Sequence, residues 1–172
     1  MANKEALREL QTRLATRLQA AREQPRDAGW LAVECGSAGL LLPLGQAGEI
    51  QAVKDLTPVP HSAAWLAGVA NVRGQLDAVI DLAVFLRLRA AAAPRPGAQL
   101  VVLNTSLRVN AALMIDRLAG LRDTSQLTRM PDDGLPRPAY AKQAWRDERG
   151  RRWDELDLAR LVSDPLFLDL AA

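Results

Sequence analysis

Trp65-Leu66-Ala67-Gly68-Val69-Ala70-Asn71-Val72-Arg73-Gly74-Gln75-Leu76-Asp77-Ala78-Val79-Ile80-Asp81-Leu82 holds two apolar segments on either side of a polar corner, Asn71-Val72-Arg73-Gly74. Past the corner, Leu76, Ala78, Ile80 and Leu82 alternate with Asp77, Val79 and Asp81. A period of two marks a strand with one buried face. Asn71 and Gly74 are residue types that supply positive φ where strands reverse. The spacing predicts a hairpin-like reversal that lifts Arg73 out of apolar surroundings.

Upstream of this run the pattern is also β. Leu31, Val33 and Cys35 alternate with Ala32 and Glu34, and a Gly36-Ser37-Ala38-Gly39 turn follows. Leu40-Leu41-Leu42-Pro43-Leu44 is too short for a helix and reads as a strand. Pro43 has no amide hydrogen, so it belongs at an edge, a bulge or a strand end. Residues 45–54, with Gly48-Glu49-Ile50, continue as another strand, and Pro58-Val59-Pro60 stiffens the approach to Trp65 and Leu66. Cys35 shares a face with Leu31 and Val33, which makes it a buried, inert thiol.

Downstream, residues 83–88 change to helical character, and Ala91-Ala92-Ala93-Pro94-Arg95-Pro96-Gly97 is the clearest linker in the chain. A second β block opens with Leu100-Val101-Val102-Leu103 and turns at Asn104-Thr105-Ser106. It resumes with Leu107, Val109, Ala111, Leu113 and Ile115 on one face. The two blocks share a pattern of strand, polar turn and longer strand, with few identities. Residues 123–152 are polar and proline-containing, and are expected to be irregular and in part a mobile loop. Structure resumes at Trp153. Leu158, Leu161 and Val162 fit one helical face, Ser163-Asp164-Pro165 is a stop-and-restart signal, and Leu166 to Leu170 is expected to seal the fold apolar side inward.

Residues 4–24 contain no Gly or Pro and carry Leu7, Leu10, Leu14 and Leu18 at helical spacing, so they read as a helix ended by Pro25, Asp27 and Gly29. The stripe can pack on the chain's own core, dock on another protein or pair with a second copy. Four leucines do not choose among these.

Composition narrows the function classes. The 172 residues are 49% hydrophobic and 24% charged, enough for a real core in one domain or two small ones. Lys+Arg total 22 against 20 Asp+Glu, a formal charge of +2. The densest basic stretch, residues 146–152, is interleaved with acids, which argues against nucleic-acid binding. One cysteine excludes an intrachain disulfide framework and a cysteine-rich zinc site. No apolar run approaches the roughly 18 residues of a membrane span, and the charged N-terminus lacks a signal core, so direct membrane insertion is not expected and the cytoplasm is.

Catalytic constellations are scarce. His61 is the only histidine, in a Pro60-His61-Ser62 loop, and reads as a solvated residue. Gly36-Ser37-Ala38-Gly39 lacks the lysine and spacing of a phosphate loop. Asp77 and Asp81 lie four apart on a strand, roughly 13 Å along it, too far to share a metal. They read as a solvated or salt-bridged strand face. No catalytic residue, metal or cofactor is expected.

Gly68-Val69-Ala70-Asn71-Val72-Arg73-Gly74 and Val79-Ile80-Asp81-Leu82, with Gly48-Glu49-Ile50, Pro58 and Trp65 upstream, resemble the CheW family of chemotaxis coupling proteins. The second β block and Leu156-Asp157-Leu158 are similar to the family's later strands and terminal helix, so the likeness runs from about residue 29 to 170. Two departures stand out: Ala78 occupies a position where the family usually has Pro, and the leading helix is long. Helix-first members resemble the CheW-like adaptors of the type IV pilus, or twitching-motility, chemosensory system.

The resemblance implies a mainly β fold: two intertwined SH3-like five-stranded β-barrels with an N-terminal helix and short C-terminal helices. Laid on the sequence, this gives a helical extension over 1–25 and a CheW-like domain over 26–172. The first barrel falls near 30–92, the second near 97–160, and helical segments follow. It implies a non-enzymatic adaptor between the cytoplasmic tip of a methyl-accepting chemoreceptor and the regulatory domain of a CheA-type histidine kinase, cytoplasmic and recruited to membrane-associated arrays. Arg73 and Glu49 are carried over as a charged pair at the receptor-facing surface. Asn71, Val72 and Gly74 shape the corner, and Leu76 and Val79 are nearby apolar candidates. Read from the residues alone, without the resemblance, Arg73 is better taken as a solvated turn arginine. The alternative function is a CheW-like structural or regulatory protein that uses its N-terminal helix for self-association or another partner.

Overall fold

The structure, a computed structural model, describes residues 29–171. The helix expected over 4–24 lies outside the described residues. Eleven strands in the described residues form two sheets. β1 (Trp30–Cys35), β2 (Ala38–Pro43), β8 (Arg117–Arg122), β9 (Leu127–Arg129), β10 (Ala141–Asp147) and β11 (Arg152–Leu156) make a six-stranded sheet in the order β8-β1-β2-β11-β10-β9. The second sheet is five-stranded, in the order β3-β6-β7-β5-β4. Its members are β3 (Ala47–Ala52), β4 (Leu66–Val72), β5 (Gln75–Asp81), β6 (Gln99–Leu103) and β7 (Ala111–Ile115). Short helices α1 (Leu82–Phe85), α2 (Leu158–Val162) and α3 (Pro165–Leu168) complete the fold.

The fold is mainly β with two interleaved units. Strands from before and after the 91–97 linker share each sheet: β2 pairs in parallel with β11, and β5 in parallel with β7. This sharing across the 92–97 stretch is the intertwining expected of the two units.

Successive residues serve different cores, which explains the unbroken apolar runs. On β2, Leu40 and Leu42 face a layer between the two sheets, while Leu41 faces a cluster inside the first sheet with Trp30, Ala32, Leu127 and Trp153. On β7, Leu113 and Ile115 join the shared layer, while Ala112 and Met114 enter a cluster inside the second sheet with Ala70, Val79 and Leu100. Each strand then has two buried faces, so the alternation of apolar with polar residues is lost. Aromatic contacts close the shared layer at one end. Trp65 stacks on Phe167 at 6.2 Å and meets Phe85 edge-on at 5.4 Å. Cys35 belongs to this layer, fully buried, and burial pushes its thiol up to about 12. The thiol is inert, as its strand face predicts.

Several expectations are corrected. β5 is buried on both faces: Asp77 and Asp81 are 4% and 3% exposed, not solvated, because the curled sheet encloses a core of its own. Asp81 does carry the expected salt bridge. It caps α1 by accepting from Val84 N–H, and the Arg89 guanidinium lies 2.8 Å from its carboxylate. Arg89 also reaches Asp116, whose other oxygen accepts from Gly36 N–H at 2.6 Å. Asp116 sits where the chain crosses from the second sheet to the first, so this buried cluster fastens the crossing to the β1–β2 turn.

Residues 123–152 hold β9, β10 and the first residue of β11, while 130–138 carry no regular structure, in keeping with the irregular stretch expected there. Tryptophans pair across the β10–β11 hairpin, Trp145 opposite Trp153, and the Gln143 side chain donates to the carbonyls of Met130 and Ala144. Residues 107–110 are not strand; a single 3-10 turn over Thr105–Leu107 and a left-handed Arg108 precede β7. At the C-terminus only Phe167 is buried, and Leu166, Leu168 and Leu170 stay exposed.

β3 and β4 are the outer strands of the second sheet, yet the chain leaving β3 bends back to bridge β4. Thr57 and Val69 exchange two backbone hydrogen bonds of 2.8 Å. This contact rolls the sheet into a closed form and needs Gly68. Its φ is +148°, and a Cβ there would lie 2.4 Å from the Thr57 carbonyl oxygen. Both the conformation and the space exclude a side chain. Gly68→Ala is expected to lower unfolding free energy by about 2 kcal/mol or more. Gly74→Ala, with a φ of +83° but nothing within 4 Å, should cost only about 1 kcal/mol. Urea unfolding of both variants checks the order; equal midpoints would contradict it.

Candidate functional site

The corner between β4 and β5 is a two-residue hairpin closed by the Val72–Gln75 pair. Positive φ falls at Arg73 (+50°) and Gly74 (+83°), the pattern of a type I′ turn, whose twist matches that of the flanking strands. Asn71 is not a positive-φ residue here. It precedes the turn, and its side-chain oxygen accepts from Gly74 N–H at 2.8 Å. Arg73, at the turn tip, is 75% exposed at its side chain.

Glu49 reaches the same place from the opposite strand. The register between β3 and β6 shifts between Ala47 and Ile50, so Gly48 and Glu49 form a bulge. A Cβ on Gly48 would come within 2.8 Å of the Val102 carbonyl oxygen, which ties that close approach to glycine. Bulges re-aim side chains, and here Glu49 forms an ion pair with Arg73. Its Oε2 is shielded from water and lies directly against the Arg73 guanidinium. The pair links the two outermost strands of one sheet, and only the rolling of that sheet brings them together.

The seven residues singled out in the sequence fall into two groups. Glu49, Asn71, Arg73, Gly74 and Leu76 are solvent-accessible, Leu76 at 66% exposure. Leu76 lies on the face that carries Ala78 and Ile80 into the shared layer, but it projects beyond the end of that layer. Val72 (5% exposed) and Val79 (0%) are buried. Val79 packs with Ala70, Leu100 and Met114, so it supports the corner from behind and cannot itself touch a partner. Sequence reading missed Gly68, Thr57 and the bulge at Gly48, all of which act through backbone approach. Among the described residues no cluster of His, Cys, Asp and Glu is arranged to hold a metal ion, and no helix is long and apolar enough to cross a membrane.

The sequence model of the CheW-like domain matches residues 29–166, which include this corner and both sheets. The chain belongs to the CheW-like family. A curated relative, Protein PilI of Pseudomonas aeruginosa, is 32% identical over 110 residues, spanning 64% of this chain and 61% of that protein. The crystal structure of scaffolding protein TtCheW from Thermoanaerobacter tengcongensis superposes with a TM-score of 0.64 at 15% identity, covering 79% of this chain and 88% of that one. At that identity the likeness establishes the CheW-like fold alone.

Behind the CheW-like corner, Asp77 faces the interior of the second sheet and has no hydrogen-bond or charge partner among the described residues. Burial raises its carboxyl pKa above the ordinary aspartate value. A carboxyl with a raised folded pKa costs stability once pH climbs above the unfolded pKa, and the cost is full above the folded one. Asp77→Asn is therefore expected to be as stable as the parent or more stable at pH 7, by up to about 1 kcal/mol. The difference should vanish below about pH 3, where both side chains are neutral in the folded and unfolded chain. Thermal or urea unfolding at the two pH values checks this; a destabilised asparagine variant at pH 7 would contradict it.

Proposed function

We propose that this chain is a non-enzymatic adaptor of a chemosensory array. It would couple the cytoplasmic tip of a methyl-accepting chemoreceptor to the regulatory domain of a CheA-type histidine kinase, in the system that controls type IV pilus twitching motility. It acts in the cytoplasm and is recruited to arrays at the membrane. The pilus assignment rests on the likeness to Protein PilI, and the whole-protein role is extended from a match to 61% of that relative.

The observation that carries the reading is the corner itself. Arg73 stands exposed at a turn whose shape is fixed by Asn71 and Gly74, with Glu49 beside it and Leu76 uncovered alongside. A guanidinium next to a bare leucine on a rigid backbone is the composition of an interface anchor. Little side-chain entropy remains to be lost on docking, since the neighbouring acid already orients the arginine.

Arg73→Glu is expected to raise the Kd for the receptor tip about tenfold or more, and Leu76→Asp should have a similar effect. Both side chains are solvent-facing, so circular dichroism and melting temperature should stay close to the parent's. Isothermal titration of the full chain with the receptor tip and with the kinase regulatory domain checks this; parental affinity for both partners in both variants would overturn the site. Removing residues 1–28 separates this reading from one in which the N-terminal segment is the interface, since the corner predicts that binding survives.

A further inference from the structure

The first sheet holds a second, unassigned surface. Its outer strand β8 pairs with β1 alone, and its other edge carries no strand among the described residues. Between that edge and the β10–β11 hairpin lies a cleft of about 650 Å³ with Trp153 in its wall. Arginines ring it. Arg122 and Arg151 lie over the Trp153 ring at 5.7 and 4.6 Å, Arg117 enters from β8, and Arg149 from the hairpin tip.

Two of the three acids lining the cleft, Glu34 and Asp147, are occupied, while Glu148 at the hairpin tip has no side-chain partner among the described residues. Glu34 takes both Arg117 and Arg151, and although burial raises its pKa, hydrogen bonds and charge from the two arginines bring it below the ordinary value. Asp147 accepts from the Trp153 indole at 3.0 Å and from the amides of Arg149 and Arg151. The Arg149 side chain has no partner among the described residues.

We propose that this cleft receives an extended acidic segment of a protein partner, laid along β8. The unpaired strand edge suits an extended backbone, and the arginine ring suits carboxylates. The opening is a cleft rather than a flat face, so a narrow chain fits where a flat lipid surface does not. The surface involves neither Arg73 nor Glu49, so it stands apart from the corner and is tested independently of it.

The test uses the full chain and a fluorescent octapeptide of alternating Asp and Val, read by anisotropy. The expected result is saturable binding that weakens as salt rises, no binding of the matching Lys–Val peptide, and a Kd raised about fivefold or more by Arg149→Glu. Arg149 holds no other described side chain, so that variant should fold normally, and Arg73→Glu should bind the peptide as the parent does. Absence of saturable binding, an Arg149→Glu affinity within about twofold of the parent, or full displacement of the peptide by millimolar inorganic phosphate would overturn the proposal.

Discussion

Everything in this chain depends on one shared apolar layer, pressed between two curled sheets that each also enclose a smaller core. Leu40, Leu42, Ile80, Val101, Leu113 and Ile115 come from both sheets and meet in that layer. Their neighbours in sequence turn the other way, into clusters around Trp153 or around Val79 and Leu100. A fully buried side chain of this size contributes about 1.5–3 kcal/mol, and nearly every central strand residue is committed to one core or another. A one-residue slip in register would move each side chain into the wrong core. Register is therefore fixed from both faces at once, and the loops are free to vary.

That rigidity matters for the corner. An exposed ion pair such as Arg73–Glu49 contributes little to stability, commonly less than about 1 kcal/mol. Its value lies in geometry. Rolling of the second sheet, secured by the Thr57–Val69 bridge and by the space at Gly68, brings β3 and β4 together. The bulge at Gly48 and the turn at Arg73 then aim two opposite charges at the same spot. The docking surface is thus set by backbone contacts at glycines rather than by the charged residues themselves.

Much of this was legible in the residues, for physical reasons that also mark where legibility ended. The reversal at Asn71–Gly74 could be read because turn chemistry is local. Burial of Cys35 could be read because its strand neighbours are apolar. The single buried face expected for β5 was wrong because a rolled sheet offers two interiors, and nothing in the order of Asp77, Ala78 and Val79 reports that roll. β10 was hidden for the converse reason: its residues are mostly polar, and its place depends on Trp145 and Trp153 meeting across a hairpin. The mixing of strands from the two halves was equally hidden, because β2 and β11 are over a hundred positions apart. The family resemblance, carried by Glu49, Arg73 and the Asp81-Leu82 end of β5, supplied the interleaved fold that periodicity alone did not.

The parallel pairings of β2 with β11 and β5 with β7 have a consequence for how the polypeptide is made. A ribosome releasing this chain from its N-terminus has delivered β1 and β2 long before β11 exists, so the first sheet waits, incomplete, for the last strand. Long-range closure of this kind is slow, and until it happens the edge of β2 and its leucines stand open. Cleavage within residues 91–97 would leave two fragments that each hold part of both sheets. Neither fragment owns a whole core, yet together they carry every strand, which makes that proline-rich passage the natural seam for a two-piece version of the protein that assembles only when its halves meet.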